Sequence, residues 1–150
     1  MGVNPLMSIV SSLAKKRREK GKLGFCVQFL YSTRDPRESR SPSEILFLER
    51  LRDVFESLGS EGEFQLFLTA GQERSEEDKS ETMLIDGKEL SVQRRRVHDT
   101  DLLDALGPVD ERGGTVCYIC GVPTMTDEFV EKAKRAEGME EGNVLSEKWW

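Results

Sequence analysis

The feature that most constrains the fold is a regular alternation between two kinds of apolar segment. Segments with apolar residues at helical spacing alternate along the chain with short runs rich in Val, Ile, Leu, Phe and Tyr, which are typical of buried strands. This alternation predicts an α/β fold, because parallel strands are joined by helices that cross over and pack on the sheet. At 150 residues, the chain is expected to form one domain over residues 1–150.

Four helices are expected, and each is preceded by a residue suited to capping. The first has proline at its first helical position, Pro5, and ends at Gly21. The second begins with the capping box Ser41-Pro42-Ser43-Glu44 and ends at Gly59. In chain order the expected capping residues are Asn4, Ser41, Thr100 and Thr126.

The strands are expected to form a parallel sheet with helices on both faces. Apolar residues on either side of Asp86-Gly87 predict a short hairpin, because this pair favours a tight turn. Polar segments over residues 32–41 and 72–81 are expected to be loops. Buried strands are expected over residues 23–31, 64–70 and 115–120, and a weaker fourth strand over residues 143–147.

The charge balance limits the classes of partner. The chain has 22 Lys and Arg against 28 Asp and Glu, a net charge of −6, which argues against a general nucleic-acid or membrane-surface binder. The basic run over residues 15–22 is better explained as a solvated helix end than as a nucleic-acid patch. No apolar run approaches the roughly 18 residues of a membrane span, so no transmembrane segment is expected. Three cysteines and no hydrophobic signal segment indicate a reducing intracellular compartment.

Cys117 and Cys120 form a Cys-x-x-Cys pair, which raises the question of a metal site. On a strand, residues three apart point to opposite faces, so these two thiols cannot easily share a metal or a disulfide. Only Cys26 and His98 remain as further candidates. No metal site is therefore predicted.

The strongest functional signal is the segment Cys120-Gly121-Val122-Pro123-Thr124-Met125, between a predicted strand and a predicted helix. Ligands of α/β sheets bind outside the carboxyl ends of the strands. Gly121 would allow a ligand to approach the backbone, Pro123 would fix the turn, and the helix start would offer free amide donors to an anion. An ordinary strand-to-helix loop with a buried cysteine stays the alternative.

This Cys-Gly-x-Pro-x-Met motif, followed by a terminal aromatic residue, resembles the NAD(P)-binding domain of the ferredoxin–NADP reductase superfamily. Residues 2–9 resemble the tail of that family's phosphate loop, and Tyr31-Ser32-Thr33-Arg34 resembles its adenosine-side motif. The ending over residues 146–150 is most similar to the oxidoreductase NAD-binding-domain-containing proteins, a mitochondrial-type branch. The motifs follow in the family's order and cover almost the whole chain.

The resemblance implies a Rossmann-like sheet and a role for residues near the start of the chain. Gly2, Asn4 and Pro5 would present helix-terminal amides to the pyrophosphate, which agrees with the affinity of helix N-termini for anions. Ser32 and Arg34 would contact the adenosine ribose or its phosphate, with a solvated loop as the alternative. NAD and NADP are both left open.

The resemblance also implies roles near the end of the chain. Cys120 would lie beside the hydride path, as a polarisable contact rather than a nucleophile. Trp149 and Trp150 would cover a flavin or hold the place of the nicotinamide; otherwise they would pack against a neighbouring domain. The nicotinamide end would be lined by Cys120, Gly121, Pro123 and Met125.

Two parts of the family pattern are missing from the chain. The family's first strand and the leading glycines of its phosphate loop should precede Gly2, and a flavin domain that holds FAD should precede both. The expectation is therefore an N-terminally truncated chain, whose sheet lacks a central strand and has a gap in its ladder.

The function that the resemblance implies is the NAD(P)H-binding half of a flavin-dependent oxidoreductase. Such a chain would position the nicotinamide for hydride transfer to FAD, with a flavin domain as its partner in the intact protein; activity of the chain alone is left open. The alternative is a non-enzymatic truncated isoform that acts as a nucleotide- or protein-binding module. The related branch implies a mitochondrial location, whereas the missing targeting segment leaves a cytoplasmic one open.

Overall fold

Four α-helices and six strands follow one another in the residues that the computed structural model describes, which are 3–36, 44–69, 80–85 and 87–149. The predicted α/β class is confirmed, with mostly parallel strands flanked by helices. In chain order the elements are α1 (Asn4–Lys20), β1 (Val27–Arg34), α2 (Leu48–Leu58), β2 (Gly62–Thr69), β3 (Ser80–Ile85), β4 (Lys88–Gln93), α3 (Asp99–Leu106), β5 (Cys117–Gly121), α4 (Pro123–Arg135) and β6 (Val144–Lys148).

These elements belong to two compact units. The first unit comprises Met1–Val10 and His98–Trp150, and the second unit comprises Ser11–Val97. The strands are divided accordingly into two sheets, β5-β6 in the first unit and β1-β2-β4-β3 in the second. All neighbouring strands are parallel except β3 and β4.

Strands β3 and β4 form the predicted hairpin. They pair in antiparallel register from Ser80↔Gln93 to Ile85↔Lys88. Gly87 adopts a φ of 78° in the turn, a conformation that glycine tolerates better than other residues. Asp86 lies outside the described residues.

The core of the second unit forms where α2 and the sheet bury apolar side chains. The inner strand β2 is buried at three successive positions, so both of its faces are covered, as expected for a parallel strand between two others. These positions are Leu66, Phe67 and Leu68. The buried residues of α2 are Leu48, Leu51, Phe55 and Leu58.

Strand β1 starts later than the sequence predicts. The prediction covers residues 23–31, whereas β1 spans Val27–Arg34. The Glu61 carboxylate accepts hydrogen bonds from the backbone N–H groups of Leu23 and Gly24, at 2.9 and 3.0 Å, and Gly24 adopts a φ of 85°. Because a side chain takes these two amides and the backbone turns at Gly24, this segment does not join the sheet.

The starts of α2 and α3 also differ from prediction. Residues 41–43 of the predicted capping box lie outside the described residues, and α2 begins at Leu48. Helix α3 has His98 as its N-cap rather than Thr100. The backbone N–H of His98 donates to Oδ2 of Asp101 at 2.7 Å, so the acid three residues after the cap selects this start.

Candidate functional site

The candidate site lies where β5 and β6 end. These strands pair in parallel from Cys117↔Val144 to Gly121↔Lys148. The pairing continues one residue beyond, because the backbone N–H of Trp149 donates to the carbonyl of Gly121 at 3.0 Å. The carboxyl ends of the two strands therefore lie side by side.

The two faces of this sheet differ in character. Cys117 and Ile119 pack against the core of the first unit, whose buried members are Leu102, Leu106, Ala133 and Val144. Cys120 instead contacts Trp149. The prediction that Cys117 and Cys120 point to opposite faces is confirmed, and neither thiol is part of a disulfide.

Two cross-strand hydrogen bonds organise the face that carries Cys120. The indole Nε1–H of Trp149 donates to Sγ of Cys120 at 3.0 Å, and the hydroxyl of Tyr118 donates to Oε2 of Glu147 at 2.9 Å. Trp149 is 37% exposed. A partly exposed aromatic ring thus lies against a thiol at the end of the sheet. No local sequence pattern predicts the Tyr118–Glu147 pair, because it depends on the register of two distant strands.

The surroundings keep the Cys120 thiol protonated at neutral pH. Desolvation raises the pKa of Cys120, and the Glu147 carboxylate raises it further, while the hydrogen bond from Trp149 acts in the opposite direction. The thiolate is the nucleophilic form of cysteine. A raised pKa therefore fits a polarisable contact better than a nucleophile.

The space beside the Cα of Gly121 is occupied by the end of the Met125 side chain. A Cβ at this position would lie 2.3 Å from Cε of Met125, so the methionine side chain occupies the space that a larger residue would need. The sequence suggested that this space admits a ligand. In the structure this space is filled by the Met125 side chain.

Helix α4 begins earlier than predicted. Val122 is its N-cap, Pro123 stands in its first turn, and the N–H of Thr126 bonds to the carbonyl of Val122 at 3.0 Å. The prediction that Thr126 caps the helix is wrong, because proline suits the first helical position and moves the start forward. Thr126 is fully buried, and its Oγ1 has no hydrogen-bond partner among the described residues. By position, the amides of Thr124 and Met125 have no acceptor within the helix.

The residues predicted to bind the pyrophosphate lie at the start of α1. The first bond of this helix runs from the N–H of Met7 to the carbonyl of Val3, at 2.8 Å, so Val3 rather than Asn4 is its N-cap. Asn4 and Pro5 are the first two helical residues, and Asn4 is exposed. Gly2 and Trp150 lie outside the described residues.

Ser32 and Arg34 lie inside β1 rather than after it. They pair in register with Phe67 and Thr69 of β2, and both side chains are exposed. Their placement differs from the prediction because β1 starts and ends later along the chain. They belong to the second unit, whereas Cys120 belongs to the first.

The second unit also holds an ion-pair cluster that the sequence did not predict. The Arg94 guanidinium pairs with the carboxylate of Asp35, and its Nε lies 2.6 Å from Oε2 of Glu81. Asp35 follows β1 and Arg94 follows β4, so the cluster lies at the carboxyl ends of parallel strands. The sequence feature that could have revealed this cluster is the position of Asp35 and Arg94 directly after strands, where ligands of α/β sheets bind.

Two curated proteins are similar to this chain over its whole length. "Oxidoreductase NAD-binding domain-containing protein 1" of Bos taurus is 26% identical over 155 aligned positions, which cover 100% of the chain and 43% of that protein. The human protein of the same name is 24% identical, and the alignment again covers 100% of the chain and 43% of that protein. The chain thus spans less than half the length of these relatives. No protein-family model matches the chain, and no solved structure matches it.

Two further kinds of feature are absent from the part of the chain that the structure describes. Within residues 3–36, 44–69, 80–85 and 87–149, none of the helices combines the length and apolar character that crossing a bilayer requires. The same residues contain no group of three or more His, Cys, Asp or Glu side chains that could hold a metal ion.

Alkaline pH is expected to destabilise the fold through Cys117. Desolvation raises the pKa of the folded Cys117 thiol to about 11, so the unfolded chain loses this proton first as the pH rises. The contribution of the protonated Cys117 thiol to the free energy of unfolding is fully present below the pKa of the unfolded chain. It is lost as the pH rises to about 11, and the loss amounts to about 2–3 kcal/mol. Urea unfolding at several pH values should show a smaller alkaline loss for Cys117→Ala than for the native chain.

The exposed Cys26 provides the control for this measurement. Cys26→Ala should follow the native pH dependence, because the Cys26 side chain is exposed in the folded chain. Equal alkaline losses in the native chain and in Cys117→Ala would contradict the burial argument.

Proposed function

We propose that the chain binds NAD(P)H and places the nicotinamide at the ends of β5 and β6, as the NAD(P)H-binding half of a flavin-dependent oxidoreductase. The observation that carries the proposal is the contact between Trp149 and Cys120, beside the start of α4. The names of the two curated relatives support an NAD-binding, oxidoreductase-like domain. A flavin domain and a mitochondrial location are further parts of the proposal.

The residues at the strand ends suit a planar ring that carries an amide. The exposed part of the Trp149 indole offers an aromatic surface, and the protonated Cys120 thiol offers a polarisable one. The free amides of Thr124 and Met125 match a carboxamide oxygen in the same way that helix N-termini match anions. The nicotinamide would be held by Cys120, Gly121, Pro123, Met125 and Trp149, and Trp150 is a further candidate from the sequence.

The phosphate and adenosine ends of the cofactor are assigned to other residues. Helix α1 has no acidic residue in its first turn, so the positive end of its dipole is not neutralised there. Gly2, Asn4 and Pro5 would bind the pyrophosphate at this helix start. Ser32 and Arg34 would contact the adenosine ribose or its phosphate, for which Arg34 supplies a fork of donors.

When bound, NAD(P)H would supply a hydride, which the FAD of a flavin domain would accept together with a proton. The part of this chain is to hold the nicotinamide in position, since hydride donor and acceptor must approach within about 3–3.5 Å. Trp149 and Met125 would shield the ring from water. The neutral Cys120 thiol would contact the ring without competing for the hydride.

The expected result in a calorimetric titration is binding of NADH or NADPH by the native chain. Gly121→Ala should weaken binding by about 10-fold or more, because Met125 must move when the loop gains a Cβ, and about 1.4 kcal/mol is enough for that factor. Gly113→Ala is the matched control, since nothing lies within 4 Å of a Cβ at that position. Its affinity should equal that of the native chain.

A flavin-reduction assay distinguishes the NAD(P)H-binding half of an oxidoreductase from a non-enzymatic module that only binds the nucleotide. NAD(P)H oxidation should be faster with the chain and an added flavin domain than with the flavin domain alone. Binding without any such acceleration would assign a non-enzymatic module instead. No binding of NADH or NADPH, or equal losses in Gly121→Ala and Gly113→Ala, would remove the proposal.

A further inference from the structure

The end of α1 and the loop after it carry most of the positive charge in the first part of the chain. Residues 1–34 hold seven Lys or Arg and one acidic residue, a net charge of +6, within a chain whose total is −6. Most of these cations are solvent-exposed and form what is called here the basic helix end. Its members are Lys15, Lys16, Arg18, Lys20 and Lys22.

A partly buried carboxylate, Glu61, holds the loop after α1 against the helix. Arg17, unlike its neighbours, is partly buried: its Nε lies 2.8 Å from Oε1 of Glu61, and a second nitrogen donates to the carbonyl of Ser57. Oε2 of Glu61 accepts the amides of Leu23 and Gly24. The hydrogen bond from Gly24, followed by that from Arg17, lowers the pKa of Glu61, so this carboxylate stays charged.

Phe25 follows this anchored loop and is 49% exposed. The next residue, Cys26, is also exposed. Because Glu61 holds both Arg17 of the helix and Gly24 of the loop, the backbone just before Phe25 is tied to the end of α1. Lys and Arg side chains together with an exposed aromatic ring are the pattern of segments that lie at the surface of a bilayer.

We propose that the basic helix end and Phe25 together bind the surface of an anionic lipid bilayer. Lys and Arg clusters on a helix are attracted to acidic headgroups, and an aromatic ring inserts at the headgroup level. A single exposed ring suits this insertion. Binding of single-stranded nucleic acid uses several rings that stack successive bases, and in the described part of the second unit Phe25 is the only exposed aromatic residue. The proposal is independent of nucleotide binding.

The test is co-sedimentation of the full chain with vesicles of phosphatidylcholine, with and without about one third phosphatidylglycerol. Binding should require the anionic lipid and should be lost in about 0.5 M salt. The triple variant Lys15→Gln, Lys16→Gln, Arg18→Gln should bind about 100-fold more weakly, at about fivefold per cation. Circular dichroism checks that this variant, altered only at exposed positions, remains folded.

Two further variants complete the test. Phe25→Ser should weaken binding while keeping the salt dependence, because it removes insertion but not charge. Lys134→Gln with Arg135→Gln, at the end of α4, is the control and should bind like the native chain. Equal binding to neutral and anionic vesicles, equal losses in the control, or binding of a single-stranded oligonucleotide in place of vesicles would overturn the proposal.

Discussion

Arg112→Met is expected to destabilise the fold by about 3–5 kcal/mol, because three backbone carbonyl groups lose the donors that this buried side chain supplies. Arg112 is only 8% exposed. Its guanidinium donates to the carbonyls of Gly107 at 2.9 Å, Glu137 at 3.0 Å and Leu103 at 3.2 Å. One side chain therefore ties the end of α3 to the segment that follows α4. Urea unfolding of the native chain and the variant measures the difference.

Arg135→Met is the control for Arg112→Met. Arg135 forms an i,i+4 pair with Glu131 and its side chain is 82% exposed, so its loss should cost no more than about 0.5 kcal/mol. Arg112→Lys should recover little of the native stability, because one ammonium cannot reproduce the planar fork of donors. A cost below about 1 kcal/mol for Arg112→Met would show that water satisfies these carbonyls.

Gly138→Ala is expected to destabilise the same region by about 2–4 kcal/mol. Gly138 has a φ of 86°, and a Cβ there would lie 2.2 Å from the carbonyl oxygen of Val109. The backbone of either segment must move to relieve this overlap, and the left-handed conformation adds its own cost for alanine. Thermal unfolding should show a clear loss of Tm.

Gly142→Ala is the matched control for Gly138→Ala. Nothing lies within 4 Å of a Cβ at Gly142, and its φ is not in the left-handed region. The Tm of this variant should stay close to the native value or rise slightly, because alanine restricts the unfolded chain. Similar Tm losses in the two variants would contradict the proposed close contact between Gly138 and Val109.

The sequence predicted the parts of the fold that depend on local periodicity. The four helices, the hairpin at Gly87 and the inner strand β2 follow from apolar spacing and turn residues, and the structure contains them. The errors lie where a distant or unexpected partner takes a backbone group. Glu61 holds the amides of Leu23 and Gly24 and delays β1, and no local pattern announces a contact over almost forty residues.

In the candidate site, too, the features set by local sequence could be predicted and those set by distant contacts could not. The position of Cys120 at the end of a strand could be predicted, because a buried strand followed by Gly and Pro is a local pattern. Its contact with Trp149 depends on the register of β5 against β6. Arg112 was missed altogether, since an arginine in a Gly-rich loop resembles a surface residue and its burial depends on three carbonyls elsewhere in the first unit.

The most direct test of nicotinamide binding uses the indole N–H signal of Trp149 in an NMR titration. The chain has two tryptophans, so Trp149→Phe assigns the two signals. Because the Trp149 N–H bonds to Cys120, a ring placed at the strand ends must change its surroundings. NADH and reduced nicotinamide mononucleotide are expected to shift this signal, and AMP is expected to leave it in place. An unchanged Trp149 signal at saturating NADH would contradict the account.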